Sequence, residues 1–250
     1  MTDDDAIHSV EAIGRSSDFE PPNTPIVFAV MRNCHESLRS AMKELLEVHQ
    51  SGSKEKTKEI ALNLLRAIYF HTRMEDIDVF PWLNKQSADL TLAQKYVDEH
   101  QADDILTQRV AQAVNSDEDI PKELLDEWCA EFERHFTNEE KDLQPLTMKT
   151  GSTWKSRAHV FRVWVLTPTI LREGIEEFSW FVGWNVDVLT RRGSTKNSPL
   201  TAARVFALGV QAGTTPEQWE AIKPIVRAHT TAEIWEHMAL EYRIDEHPFR

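Results

Sequence analysis

The stretch HTRMEDIDVF, residues 71–80, decides how the rest of the chain is read. His71 and Glu75 stand four apart in a segment whose apolar residues recur at three- and four-residue intervals, Ile60, Leu64, Ala67 and Ile68 leading into His71. That period belongs to a helix, and residues i and i+4 share a helix face. An imidazole and a carboxylate therefore point together at whatever this helix packs against. The spacing alone is not selective, because the chain contains four such pairs: His71/Glu75, His135/Glu139, His229/Glu233 and His237/Glu241.

Working outward, the same periodicity marks helices on both sides. Thr24 suits an N-cap and Pro25 a first helical position. The helix they open carries Ile26, Val30, Leu38, Met42 and Leu45 on one stripe and stops near Ser51-Gly52. The helix with His71 spans about 54–80, with Pro81 ending or bending it. A third covers about 87–115 with Tyr96, His100, Ile105 and Val110. A fourth follows Pro121 through Leu124, Trp128, Phe132, His135, Glu139 and Leu143, fading between Pro145 and Gly151. Four long helices joined by short polar turns predict an all-α, up-down-up-down four-helix bundle over 24–150. Residues 1–23 read as a disordered or extended tail, and 151–250 as a C-terminal helical extension or domain.

Height in such a bundle tests the histidines. His35 lies 17 residues before a turn near 52 and His71 lies 19 after it; His71 is 16 before a turn near 87 and His100 is 13 after. His100 is 17 before a turn near 117 and His135 is 18 after. At a rise of 1.5 Å per residue, antiparallel packing brings all four to within about 5 Å of one level. Taken singly, each reads as a core or helix-surface histidine. Four imidazoles meeting two carboxylates in a core need pairing or a metal, since buried charge is otherwise costly. Mixed imidazole and carboxylate donors suit iron, manganese or zinc far better than calcium. Six ligands with bridging carboxylates serve two ions.

The segments NCHESLR, FHTRMEDIDVFPWL, DEHQADD and RHFTNEEKDLQPL, in this order, resemble the hemerythrin-like, or HHE cation-binding, domains over about residues 25–148. The resemblance implies a non-haem diiron centre with His35, His71, Glu75, His100, His135 and Glu139 as ligands. Oxygen-carrying hemerythrins place H-x-x-x-H on the third helix; the position four after His100 is here Asp104, a weaker candidate ligand or an orienting group for an imidazole. That departure points away from reversible oxygen carriage. Oxygen carriers also use the carboxylate five after the fourth-helix histidine, here Glu140, whereas many HHE domains use i+4, so Glu139 is preferred.

Composition bounds the alternatives. A net charge of −13 opposes binding to nucleic acid or anionic membrane. Two cysteines, Cys34 and Cys129, provide no disulfide framework, and the acidic opening residues lack a secretory pattern; a soluble, cytoplasmic protein is expected. Glu36 is expected in solvent, Asp76 and Asp78 on an exposed acidic face, Cys34 as core filler, and His8, His49 and His247 at the surface.

Beyond residue 150 the pattern stays helical. One helix is expected over 153–166, a second from Thr167-Pro168 to about 192, a third from Ser198-Pro199 to Gly213. Thr215-Pro216-Glu217-Gln218 has capping-box form and opens a last helix, bent at Pro224. His229, Glu233, His237 and Glu241 form an i, i+4 stripe on that helix, read as a solvated face; its rival is half of a second metal site completed by His159 or Glu176. Trp154, Trp164, Trp180, Trp184, Phe178 and Phe181 read as core or a packed face, with an apolar substrate pocket or dimer interface as the rival. The expected function is a dinuclear metal protein, iron first and manganese or zinc as alternatives, that binds or reacts with dioxygen. It would be an oxidase or oxygenase on a small organic substrate, or a sensing, storage or carrier module without turnover. The sequence leaves catalytic residues and oligomeric state open.

Overall fold

The computed structural model describes residues 26–87, 91, 93–116, 118–147, 159–194 and 199–241. The tail, the Thr24 cap, His8, Trp154, the helix start at 153, the boundary at 150 and His247 lie outside these residues, as do the side chains of His237 and Glu241. The described residues are helices and short turns with no strand among them. Helices α1 (Ile26–Gln50), α2 (Lys54–Met74), α3 (Phe80–Ser87), α4 (Gln94–Val114) and α5 (Lys122–Thr147), with the turn Glu75–Val79 between α2 and α3, carry the sequence-predicted site residues. Helices α6 (Thr167–Glu173), α7 (Ile175–Arg192), α8 (Pro199–Gly213), α9 (Pro216–Ala228) and α10 (Ala232–Glu241) follow. None of the described helices is long and apolar enough to cross a membrane.

By compactness the chain divides into Leu38–Leu143 and a second unit of residues up to Ser37 with those from Gln144 onward. The division passes through α1 and α5, which are unbroken helices. In the first unit, α1 ends where Gly52 takes a left-handed φ of 77°, a conformation that costs glycine nothing. The amides of Ser51 and Gly52 donate to the carbonyls of Glu47, Val48 and His49, closing the helix. His49 is not a free surface residue: its Nε2 lies 2.8 Å from the Ile120 carbonyl. Helix α2 packs against α4, and Leu64, Ala67, Ile68, His71 and Met74 form its buried face.

The helix bearing His71 does not stop at Pro81. Residues Glu75–Val79 form a single π turn, closed by the Phe80 amide donating to the Glu75 carbonyl, and α3 runs on to Ser87. Pro81 explains the turn. It has no N–H to give Ile77, and its ring would strike that carbonyl in a regular α-helix. Widening the preceding turn to i→i+5 relieves the clash. The second unit repeats the solution: Arg162–Leu166 is a π turn closed by Thr167 donating to Arg162, immediately before Pro168. Helix α4 begins at Gln94, later than the expected 87, because the residues up to 87 are used in α3.

In the second unit α8 and α9 pack against α7. The expected break at Thr167-Pro168 falls instead at Gly174, whose φ of 87° separates α6 from α7. Pro168 is accommodated in the first turn of α6, where its missing N–H costs little. The Thr215–Gln218 capping box is present, both halves bonded at 2.9 and 3.2 Å. The last expected helix is two helices: α9 ends with His229 at φ −102°, and Thr231 accepts the Ile234 amide to open α10. His229 and Glu233 thus stand on different elements, and His229 lies 3.7 Å from Asp187 instead.

A Cβ at Gly183 would lie 2.6 Å from Ile225 Cγ2 and 3.0 Å from the His229 ring, so α7 and α9 approach at a distance that only glycine permits. Gly183→Ala should cost about 1–3 kcal/mol by overpacking, read as a lower midpoint in thermal or denaturant unfolding. Phe178 and Phe181 are buried in this unit, while Trp180 and Trp184 stack at 6.4 Å on its half-buried face.

Candidate metal centre

Each predicted histidine faces inward. His35, His71 and His135 are 0 % exposed and His100 is 5 % exposed; Glu75 and Glu139 are likewise 0 % exposed. Among the described residues, two groups can each bring ligand atoms within 4.8 Å of one another. One is His35, His71, Glu75 and Glu139; the other is Glu75, His100 and His135. All six ligands expected from the sequence are covered, and Glu75 is common to both groups. Its Oε2 lies 3.1 Å from His71 Nε2 and 3.7 Å from His100 Nε2. Glu139 Oε2 lies 3.6 Å from His135 Nε2.

Glu140 points elsewhere. It sits 2.6 Å from Arg39 Nη1, and the Nε of the same guanidinium bonds Glu133 at 2.9 Å. Arg39 also lies over the ring of Phe136. Neighbouring residues on a helix diverge by about 100°, so when Glu139 enters the core Glu140 is left on the flank. Asp104 is exposed, and its neighbour Asp103 is turned inward.

The imidazole orientations decide what the centre can do. His100 Nδ1 lies 2.8 Å from Asp76 Oδ1, and His135 Nδ1 lies 3.2 Å from Glu99 Oε2. Carboxylates accept, so both Nδ1 atoms donate. The two Nε2 atoms then face each other at 3.0 Å. For neutral rings this sets two lone pairs against each other, an arrangement that asks for a shared cation. Two nitrogens held at right angles about 2.1 Å from one ion stand roughly 3.0 Å apart. The donor set therefore fits a transition-metal ion.

Rings enclose these groups. Phe80 stacks on His100 at 5.7 Å, and Tyr96, Phe132 and Phe136 surround His135 at 5.8–6.4 Å. The enclosure withdraws water and pushes the Glu75 and Glu139 carboxyls well above the ordinary range. Desolvation is the main cause for both; the negative charge of Glu139 adds to it at Glu75, and that of Glu140 at Glu139. Burial, with the negative charge of Glu131, raises Asp103 to about 6, against the opposing influence of His100. A metal ion would reverse this cost by supplying positive charge.

Three expectations need correction. Asp78 is buried, and Asp76 is bound to His100 instead of forming an exposed acidic face. Asp78 follows His71 by seven residues and so shares its face despite its charge. Glu36 is buried too, because the run from Asn33 to Leu38 is covered on every side of α1. The orienting role of Glu99 was legible only in its place beside His100.

Together these features define a helical bundle whose core gathers histidines and carboxylates able to hold a metal ion. Residues 27–147 match the family model of the hemerythrin HHE cation binding domain, and this segment belongs to that family; the C-terminal residues are not covered by the match. Comparison with curated proteins gave no significant match. Comparison with solved structures gave none either.

Proposed function

We propose that the domain over residues 24–150 holds two iron ions, manganese or zinc being the alternatives, and that the centre binds or reacts with dioxygen. His100 and His135 would hold one ion and His35 and His71 the other, with Glu75 shared between them and Glu139 completing the set. The observation that carries this reading is the pair of Nε2 atoms 3.0 Å apart, each ring bonded to a carboxylate through its Nδ1. When bound, iron would supply the dioxygen chemistry. The chain's own residues hold the donors in place and exclude water through Phe80, Phe132 and Phe136.

Turnover is favoured over carriage because the third helix offers exposed Asp104 where oxygen carriers place a further histidine. In this reading the helices after residue 150 shape a pocket for a small organic substrate. Oxygen uptake by the iron-loaded chain tests it: consumption that depends on an added organic reductant or substrate supports an oxidase or oxygenase. Uptake and release of unchanged O2 over many cycles would mean a carrier. A change in protease susceptibility on metal loading, without O2 consumption, would mean a sensor.

The two neighbouring glutamates separate cleanly. Glu139→Gln should weaken metal retention by about tenfold or more, because a buried donor is lost. Glu140→Gln should leave metal content unchanged and reduce stability by about 1 kcal/mol through Arg39. Elemental analysis beside thermal melts reads both.

A further inference from the structure

The acids next to the centre follow an order along the chain. Asp76 directly follows Glu75 on the π turn and reaches His100 on α4 at 2.8 Å. Glu99 directly precedes His100 and reaches His135 on α5 at 3.2 Å. Each helix thus presents a donor inward and, from the adjacent residue, an acid that holds the imidazole of the next helix. Neither acid belongs to the groups able to hold an ion directly. Asp76 is 32 % exposed and Glu99 15 % exposed. Glu99 is flanked by Arg134 at 3.6 Å and Lys95 at 3.9 Å. Asp103, 3.8 Å from His135 Nδ1, lies beyond hydrogen-bond reach.

We propose that Asp76 and Glu99 are positioning residues that fix His100 and His135 as Nδ1–H tautomers, directing both Nε2 lone pairs at one metal position. This rests on the metal-binding reading, yet it has its own consequence in metal-free protein. An imidazole free to rotate or to protonate at Nε2 offers no donor there. A carboxylate on Nδ1 removes that freedom and raises the donor strength of the opposite nitrogen.

The test compares wild type, Asp76→Asn, Asp76→Glu and Glu99→Gln in the full chain. In metal-free protein, imidazole 15N shifts should report His100 as the Nδ1–H tautomer in wild type, a mixture in Asp76→Asn, and the original tautomer again in Asp76→Glu. Glu99→Gln should alter His135 and leave His100 unchanged. In protein loaded with ferrous ion under argon, competition with a chromogenic chelator should remove one of the two ions about 10–100-fold more readily from Asp76→Asn and from Glu99→Gln, with the second ion held as in wild type. Thermal melts confirm that the variants fold, and Glu99→Gln serves if Asp76→Asn does not. Wild-type tautomers together with wild-type metal retention in both variants would overturn the proposal. A wild-type chain binding less than one ion would instead overturn the metal reading, and the tautomers would still decide the orientation.

Discussion

His135→Ala should purify with about one metal ion or fewer, where the wild-type chain should retain close to two. The ring is 0 % exposed and surrounded by Tyr96, Phe132 and Phe136, so neither water nor another side chain can take its place easily. Two effects then combine. The space left by the ring loosens the aromatic packing, a large-to-small loss of about 2–5 kcal/mol. The stabilisation that binding confers is also lost: about 2.7 kcal/mol for each ion present at a hundredfold excess over its dissociation constant. Elemental analysis with paired melts, with and without metal, separates the two. His71→Ala should behave alike, and exposed His229→Ala should leave metal content unchanged. Full metal content in His135→Ala would remove it from the ligand set.

Metal-free protein should become less stable as pH rises, the reverse of the common acid-denaturation pattern. Glu75 and Glu139 have carboxyl pKa values raised by burial in the folded chain, and Asp103 is raised to about 6. A raised acid binds its proton more tightly when folded than when unfolded. Its contribution is therefore complete below the unfolded value of about 4.5 and is lost as pH climbs through the folded value. Metal binding runs the other way, because the donors must be deprotonated and protons are released. The melting temperature of metal-free protein should fall as pH climbs from about 4.5 through the Asp103 value of about 6, while the increment produced by metal grows over the same range. Glu75→Gln and Glu139→Gln should each flatten the metal-free profile. A metal-free melting temperature that rises across this range would contradict the assignment of these two carboxyls as buried and paired with metal only when it is bound.

Much of the centre was legible because its information is local. Helical phase within each segment puts His71 with Glu75 and His135 with Glu139, and readable turns set the heights that bring His35 and His100 to the same level. The choice of Glu139 over Glu140 rests on the family resemblance, and the partner Glu140 meets on the flank, Arg39, is about a hundred positions away in the chain. The outer acids were harder to see. Asp76 and Glu99 act across helix pairs, and a single sequence gives no signal for such contacts beyond adjacency to a ligand. Nor did the π turn show itself as such. Pro81 announced a disturbance, but a stop, a kink and a wide turn all relieve the same clash, and packing chooses among them.

The C-terminal helices taught the opposite lesson. His229, Glu233, His237 and Glu241 share a face only on an uninterrupted helix, and the backbone breaks between His229 and Thr231. Thr230 and Thr231 fit a break because threonine offers its hydroxyl to local backbone groups, as the 3.2 Å bond from Ile234 to Thr231 shows. At Gly174 the residue type carried the signal, yet Pro168 drew the expected boundary away from it.

Six residues on α1, α2, the π turn, α4 and α5 would together hold the two proposed ions, with Glu75 shared. Anomalous diffraction from crystals of the iron-loaded full chain tests it most directly. The account predicts two peaks, one beside His100 and His135 and one beside His35 and His71, with the Glu75 carboxylate reaching both. A single peak, or peaks away from these side chains, would contradict it.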